Sequence, residues 1–112
     1  MPDISVSLKG LKVNSPLILA SGILGTSKPL LERIADEGAG AVTTKTITLE
    51  PREGHYSPII TEVESGLLNA VGYKNPGIEK ALEEFSNWNH PAPLIFSITG
   101  KSPEEFELLA EK

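Results

Sequence analysis

The chain has 112 residues, of which 39% are hydrophobic and 22% are charged, and its formal net charge is −5. This size and composition are typical of one small soluble domain. The acidic balance argues against a nucleic-acid partner, because binding to phosphates requires a basic face. The sequence contains no cysteine, which excludes disulfides, thiolate metal sites and a cysteine nucleophile within these residues.

The first residues predict neither a secretion signal nor a membrane anchor. The start, Met1-Pro2-Asp3-Ile4, lacks the basic and apolar regions of a signal peptide. No apolar stretch approaches the roughly 18 residues that a membrane-spanning helix requires. We therefore expect a cytoplasmic protein with no membrane partner.

The N-terminal residues predict a β-hairpin. Apolar and polar residues alternate over residues 4–8, which is the period of a half-buried strand. Lys9-Gly10 is a turn signal, and residues 11–13 can pair back on the first strand.

Three short apolar runs follow, at residues 17–20, 39–46 and 94–98. Runs of this kind are typical of strands that are buried on both faces of a parallel sheet. We therefore expect all three strands to lie in the interior of one sheet.

A helix start signal follows each apolar run. Ser27 and Ser102 are N-cap residue types with a proline close behind, and Asn75-Pro76-Gly77 opens a helix between them. Residues 47–65 predict a long excursion before this middle helix, with one irregular strand at residues 59–63. The predicted order is a hairpin followed by β-α-β-α-β-α, which indicates an α/β fold with a parallel sheet.

Eight such units, in about 250 residues, form a TIM barrel. We interpret residues 1–112 as part of one β/α barrel domain, comprising an N-terminal hairpin and the first three β/α units. Three parallel strands leave sheet edges open, so we expect more chain to follow Lys112.

The carboxyl ends of parallel strands are where ligands bind in such folds. After the first strand, Ala20, Ser21 and Gly22 combine a small side chain, a hydroxyl and a glycine, which allow a flat ring to approach the backbone. An ordinary turn would use the same residues, so both interpretations stay open. Ser97 lies in the third strand, just before the corresponding loop.

Lys45 and Thr46 end the second strand. A lysine after an apolar strand is unusual, because lysine is rarely buried without a partner. Its ammonium group could neutralise a carboxylate or negative charge on a reduced ring. The alternative is a lysine whose charged end simply reaches solvent.

The predicted loop at residues 66–73 lies on the same face, because it precedes the second helix. Its Asn69 offers both a donor and an acceptor, which suits a planar ring rich in amide groups, although Asn is also a common turn residue. His55 and His90 lack metal-ligand spacing and are expected at the surface, so no metal site is predicted. Trp88 is expected in the core.

Taken together, the motifs form an ordered series. In chain order they are Asn14-Ser15-Pro16, Ala20-Ser21-Gly22, Gly40-Ala41-Val42, Lys45-Thr46, Pro51-Arg52-Glu53-Gly54, Pro58, Leu68-Asn69-Ala70-Val71-Gly72 and Asn75-Pro76-Gly77. The series resembles class 1 dihydroorotate dehydrogenases from about residue 8 to the end of the chain. The last two blocks resemble the NAD-linked class 1B catalytic subunit more than the fumarate-linked class 1A enzyme.

The resemblance implies an FMN-containing barrel that oxidises dihydroorotate to orotate in pyrimidine biosynthesis. The residues that it implies at the flavin are Ala20, Ser21, Gly22, Lys45, Thr46 and Ser97. The residues that it implies at the substrate are Lys45, Asn69, Ala70, Val71, Gly72 and Tyr73. The family's general base would lie beyond residue 112, so the 112-residue chain alone is expected to be inactive.

Some implications stay open. The family usually has Asn where Ser97 stands, and a serine reaches less far. We expect a homo-oligomer and, for a class 1B enzyme, a partner subunit that carries FAD and an iron–sulfur cluster. The electron acceptor does not follow from the sequence. The alternatives are a related FMN barrel such as dihydropyrimidine dehydrogenase, or an inactive fragment that acts only as a folding or interaction unit.

Overall fold

The structure is a computed structural model that describes residues 2–112. It begins with the predicted hairpin, in which β1 (Val6–Leu8) pairs antiparallel with β2 (Leu11–Val13). Lys9 and Gly10 both have positive φ angles, of 43° and 91°. A glycine tolerates this conformation without a steric penalty, which explains why the turn forms at this position.

The central element is a parallel sheet of three strands in the order β3 (Ile18–Leu19), β4 (Ala41–Thr43) and β7 (Leu94–Ile95). The regular strands are shorter than the predicted runs. Beyond them, a parallel bridge between Ile47 and Ile98 continues the pairing of β4 with β7 after an irregular stretch. The three strands are therefore confirmed, whereas their regular extent is not.

The burial predicted for the first strand is wrong. Leu17 is 71% exposed and Ile18 is 40% exposed. The physical reason is that successive strand residues point to opposite faces of the sheet: Leu19 packs against the buried cluster that includes Leu31 and Val42, whereas Ile18 lies on the other, exposed face. In contrast, Ala41 and Val42 of the central strand are fully buried.

Each parallel strand leads to a helix: α1 (Lys28–Asp36), α2 (Ile78–Phe85) and α3 (Pro103–Glu111). A short 3₁₀ turn, Ile23–Gly25, precedes α1. The α3 start matches the prediction, because the Ser102 hydroxyl accepts a hydrogen bond from the Glu105 backbone N–H. The same hydroxyl forms a hydrogen bond that lowers the pKa of Glu104. Among residues 2–112, none of the helices has both the length and the apolar character of a membrane-spanning segment.

A second hairpin lies between the central strand and α2. β5 (Ile60–Val63) pairs antiparallel with β6 (Gly66–Asn69), and all eight of its strand residues are exposed. The first of these strands was predicted. The second was predicted as a loop, and that prediction is wrong because Ile60 and Asn69 form a register pair that closes the hairpin.

The core consists of two clusters that share α2. Leu31 of α1, Val42 of β4 and Phe85 of α2 belong to the first cluster. Ile47, with Ile78 and Ala81 of α2 and Leu109 of α3, forms the second. Apolar side chains at helical spacing on α2 therefore join the sheet to both neighbouring helices.

The remaining predictions have mixed outcomes. Trp88 is half-buried, packs on the first cluster and donates a hydrogen bond from Nε1 to the Ala92 carbonyl at 3.0 Å. His55 is exposed, as expected. The surface prediction for His90 is wrong, because its half-buried ring accepts a hydrogen bond from the Ala92 N–H and contacts Asp36 at 3.1 Å.

Candidate functional site

Three hydroxyl groups form a row across the carboxyl ends of the parallel strands. Ser21 Oγ lies 2.9 Å from Thr46 Oγ1, and Thr46 Oγ1 lies 3.0 Å from Ser97 Oγ. Each residue follows one strand of the sheet, so the shared direction of the strands brings all three to one edge. We call Ser21, Thr46 and Ser97 the hydroxyl row.

The backbone around the hydroxyl row is tightly packed. The Lys45 N–H donates a hydrogen bond to the Gly25 carbonyl at 2.7 Å, and the Ser97 N–H donates one to Thr44 Oγ1 at 3.1 Å. A Cβ at Gly25 would lie 2.6 Å from the Thr43 carbonyl oxygen. Only glycine therefore allows the turn after β3 to rest directly on the end of the central strand.

The side of the row near β3 is open. Ala20 and Ser21 are exposed, and Gly22 is half-buried. A Cβ at Gly22 would meet no atom within 4 Å. Small residues next to a row of hydroxyls leave space for a flat ring and provide hydrogen-bonding groups at its edge.

Lys45 is half-buried and lines an open cavity of about 530 Å³. Thr26, Asn75, Glu83 and Glu84 line the same cavity, but neither glutamate lies within ion-pair distance of Lys45. No ion pair of Lys45 is present within residues 2–112. Its ammonium group is therefore a positive charge without a carboxylate partner in this part of the protein, directly next to Thr46 in the chain.

The predicted substrate segment, residues 69–73, runs from the second hairpin to the turn before α2. The Ala70 N–H donates to the Ile59 carbonyl at 2.8 Å, and the Val71 carbonyl accepts from the His55 N–H at 3.3 Å. Gly72 and Tyr73 both have positive φ angles, of 73° and 54°. Asn69 is exposed at the end of β6. The segment is therefore anchored by its backbone, with the Asn69 side chain exposed.

The hydrogen bonds of the described residues do not join residues 69–73 directly to the hydroxyl row. The connection runs through Asn75, which contacts Tyr73 on one side and Thr48 on the other. Thr48 lies two residues after Thr46. Tyr73 also lines a cavity of about 360 Å³ together with Thr99 and Gly100 of the loop that follows β7.

Asn75 was not predicted as a site residue. The Asn-Pro-Gly triplet indicated the start of a helix and contributed to the family resemblance. It did not indicate a polar contact with Thr48, which lies 27 positions earlier in the chain. A buried polar residue beside a predicted site was the missing signal, and burial does not follow from the triplet. Within residues 2–112, no group of His, Cys, Asp and Glu side chains could hold a metal ion.

Comparisons with known proteins agree on one family. A family model described as dihydroorotate dehydrogenase matches residues 3–112. The catalytic subunit of dihydroorotate dehydrogenase B (NAD(+)) from Pyrococcus abyssi is 50% identical over 109 residues, which cover 97% of this chain and 36% of that relative. The subunit of the same name from Methanocaldococcus jannaschii is 44% identical over 114 residues, covering 97% of this chain and 37% of the relative.

Solved structures show the same fold. A ligand-free DHODH from Eimeria tenella has a TM-score of 0.74 and 21% sequence identity, covering 98% of this chain and 34% of that chain. A complex of Eimeria tenella DHODH with ferulenol has a TM-score of 0.70. The chain thus spans 36% to 37% of the length of the two curated relatives described above.

Proposed function

Because this chain belongs to the dihydroorotate dehydrogenase family, we propose that it forms one wall of the flavin and substrate site of a complete dihydroorotate dehydrogenase. The complete enzyme would be a TIM barrel that oxidises dihydroorotate to orotate. The observation that carries the proposal is the hydroxyl row, which spans three neighbouring strand ends. Lys45, which forms no ion pair within residues 2–112, directly precedes the central member of the row in the chain.

The flavin would lie against the hydroxyl row. FMN, when bound, supplies the redox chemistry by accepting a hydride from the substrate. Ala20 and Gly22 leave room for a flat ring, while the hydroxyls of Ser21 and Thr46 would donate or accept hydrogen bonds at its edge. Ser97 holds the Thr46 hydroxyl from the other side. This donor set fits a planar heteroaromatic cofactor better than it fits a phosphate, which would require backbone N–H groups or several cations.

Lys45 would supply positive charge where negative charge resides or develops. A half-buried ammonium group interacts more strongly with a carboxylate or an anionic ring than an exposed one, because the surrounding dielectric is lower. The orotate carboxylate and the reduced cofactor are the two anions that this position would serve.

Residues 69–73 would bind the pyrimidine. The Asn69 amide offers a donor and an acceptor, which match the alternating N–H and C=O groups of the ring. The backbone of the next four residues would lie along the edge of the pyrimidine ring; these are Ala70, Val71, Gly72 and Tyr73. The hydrogen bond from Ala70 to Ile59 supports this proposal, since it holds the start of the segment in place.

Ser97 would act at the flavin through Thr46. An asparagine at this position, the family's usual residue, reaches farther toward a bound ring. In this chain the serine hydroxyl contacts Thr46 at 3.0 Å and thereby orients the hydroxyl at the centre of the row. A short side chain at position 97 therefore supports an indirect role.

The proposal is tested with the complete protein encoded by the gene. We expect bound flavin with absorbance near 450 nm, which dihydroorotate bleaches under anaerobic conditions. Lys45→Ala should slow this bleaching by about a hundredfold, the scale seen when one preorganised charge-stabilising donor is removed. The matched control is Lys12→Ala, since Lys12 is an exposed lysine of the N-terminal hairpin.

A protein without flavin would contradict the proposal, and so would normal bleaching in Lys45→Ala. Bleaching by dihydrouracil rather than dihydroorotate would favour the related dihydropyrimidine dehydrogenase instead.

We also propose assembly with an electron-transfer subunit carrying FAD and an iron–sulfur cluster, and self-association of the catalytic subunit. The support for the second subunit is similarity to relatives that are named catalytic subunits of dihydroorotate dehydrogenase B (NAD(+)). NAD reduction by dihydroorotate should then require a second polypeptide, whereas bleaching of the bound flavin should not.

A further inference from the structure

Asn75 is a buried polar side chain at a junction of three segments. It is 7% exposed. Its Oδ1 accepts hydrogen bonds from the backbone N–H groups of Thr48 at 3.1 Å and Gly77 at 2.9 Å. Its Nδ2 donates to Thr48 Oγ1 at 2.9 Å and to the Tyr73 carbonyl at 2.6 Å. All four bonds satisfy a group that would otherwise be buried without a partner, so the side chain has one orientation.

Tyr73 has an unfavourable backbone conformation that Asn75 helps to hold. Its φ angle is 54°, a region that bulky residues rarely adopt because Cβ crowds the backbone. The short bond from Asn75 Nδ2 fixes its carbonyl oxygen. On the other side, the Arg52 guanidinium lies 5.8 Å from the centre of the tyrosine ring. Strained residues of this kind concentrate at ligand-binding segments.

Asn75 also connects this strained residue to the central strand. Through the backbone N–H of Thr48, which a change of the Thr48 side chain leaves in place, it contacts the stretch that follows Lys45 and Thr46. Through the Tyr73 carbonyl it contacts the end of residues 69–73. Backbone hydrogen bonds in both directions between Arg52 and Asn75 fix the same junction.

We infer that Asn75 is a positioning residue for substrate binding. It holds Tyr73, at the end of residues 69–73, in a fixed position relative to Lys45 and Thr46 at the end of the central strand. Arg52 supports the same tyrosine from its ring face. The inference rests on the proposed function, and it adds a residue that need not touch the substrate.

Asn75→Asp in the complete protein tests this role. Aspartate keeps the shape and the oxygen that accepts from the backbone N–H groups of Thr48 and Gly77. It replaces Nδ2, the donor to the Tyr73 carbonyl and to Thr48 Oγ1, with a second oxygen. The Thr48 hydroxyl can donate to that oxygen instead, whereas the Tyr73 carbonyl cannot. We expect the Kd for orotate to rise about tenfold, as for a lost buried hydrogen bond. The KM for dihydroorotate should rise in parallel, with a smaller change in kcat and an unchanged flavin content.

Thr48→Val is the matched control. It removes the hydroxyl partner of Asn75 on the opposite side and leaves the bond to the Tyr73 carbonyl intact. A merely structural role for Asn75 predicts that both variants lose stability and affinity together. A positioning role predicts that Thr48→Val lowers the Tm while its Kd for orotate stays within about twofold of the wild type.

Arg52→Met keeps the inference testable if Asn75→Asp does not fold. Arg52 is exposed, so its replacement should leave the Tm unchanged. The loss of its interaction with the Tyr73 ring should raise the Kd for orotate roughly twofold to fivefold.

The outcomes separate the two proposals. A wild-type protein that lacks flavin or does not bind orotate overturns the proposed function. A wild-type protein that binds both, with an unchanged Kd for orotate in Asn75→Asp, overturns only the role of Asn75. An equal loss of affinity in Thr48→Val also overturns it, as does an unchanged Kd in Arg52→Met when that variant is used alone.

Discussion

Thr46 is the residue on which the hydroxyl row depends, because it contacts both of the other members. Ser21 and Ser97 each have one hydroxyl neighbour in the row, whereas Thr46 has two. Removing the central hydroxyl therefore leaves both outer residues without a partner in the row, while removing an outer one leaves a contact in place.

Thr46→Val should weaken FMN binding more than Ser97→Ala does. Valine preserves the shape of threonine but cannot form hydrogen bonds, so two contacts are lost instead of one. We expect the Kd of FMN to rise about tenfold, the equivalent of one net hydrogen bond to a buried partner. It is measured by titrating the flavin-free complete protein with FMN.

Thr46→Ser is the control for this experiment, because serine keeps the hydroxyl and should retain most of the affinity. Equal losses in Thr46→Val and Thr46→Ser would assign the effect to packing and contradict a role for the hydroxyl.

At the residue scale, the sequence predicted the members of the site whose chemistry depends on position at a strand end. Ser21, Thr46 and Ser97 lie at or close to the C-terminal ends of three apolar runs, so their convergence follows from a parallel sheet. Asn75 did not follow from the sequence, because its role depends on its burial and on Thr48, 27 positions away, being near it in the folded chain. The contacts that Ser21, Thr46 and Ser97 would make with a bound flavin stay a prediction.

At the scale of elements, the first turn of α1 is held by α2. Ser27 occupies the N-cap position, but its side chain forms no cap hydrogen bond. Instead, the Lys28 N–H donates to Glu84 Oε1 at 2.8 Å, and Lys28 Nζ donates to the Asn87 carbonyl. A carboxylate from the neighbouring helix thus takes the place of the cap and lies near the positive end of the α1 dipole.

Glu84→Ala should therefore destabilise the protein by about 1 kcal/mol, the usual effect of a lost N-cap. Ser27→Ala should change the free energy of unfolding by less than about 0.5 kcal/mol, as expected for a surface substitution. Urea unfolding of the complete protein, compared through its midpoint, measures both. A larger effect from Ser27→Ala would contradict the assignment of the cap to Glu84.

The order of the helices and strands was predictable from the sequence, whereas the pairing of the β5–β6 hairpin was not. Serine followed closely by proline marked the starts of α1 and α3 correctly, although only Ser102 caps its helix through its side chain. The second strand of the β5–β6 hairpin was missed, because Gly66 and Asn69 are typical of loops and pair only through their register with β5. The preference of a residue for loop or strand does not indicate which residue of another strand it pairs with.

At the scale of the whole molecule, the sheet has apolar residues at an uncovered edge. Leu17 and Ile18 lie at the β3 edge, and Ile23 and Leu24 of the following turn are also exposed. On the opposite side, Phe106 and Leu108 of α3 are exposed. Unpaired strand edges beside apolar side chains are surfaces on which other chains readily add.

A polypeptide limited to residues 1–112 should therefore self-associate in solution. We expect species larger than a monomer in size-exclusion chromatography with light scattering, and strong binding of the dye ANS to exposed apolar surface. The complete protein, at equal mass concentration, should bind less dye. A monomeric polypeptide that does not bind ANS would contradict this interpretation of the exposed edge.

The β5–β6 hairpin has a consequence for how this protein can be altered. Its eight strand residues are all exposed, and its turn at Glu64 and Ser65 lies at the far end from Asn69. Extra residues inserted at that turn would lengthen the hairpin outward, at a small entropic cost, while the pairing of Ile60 with Asn69 stays fixed. The hairpin tip is therefore the natural place to graft a label or an affinity tag without touching the core.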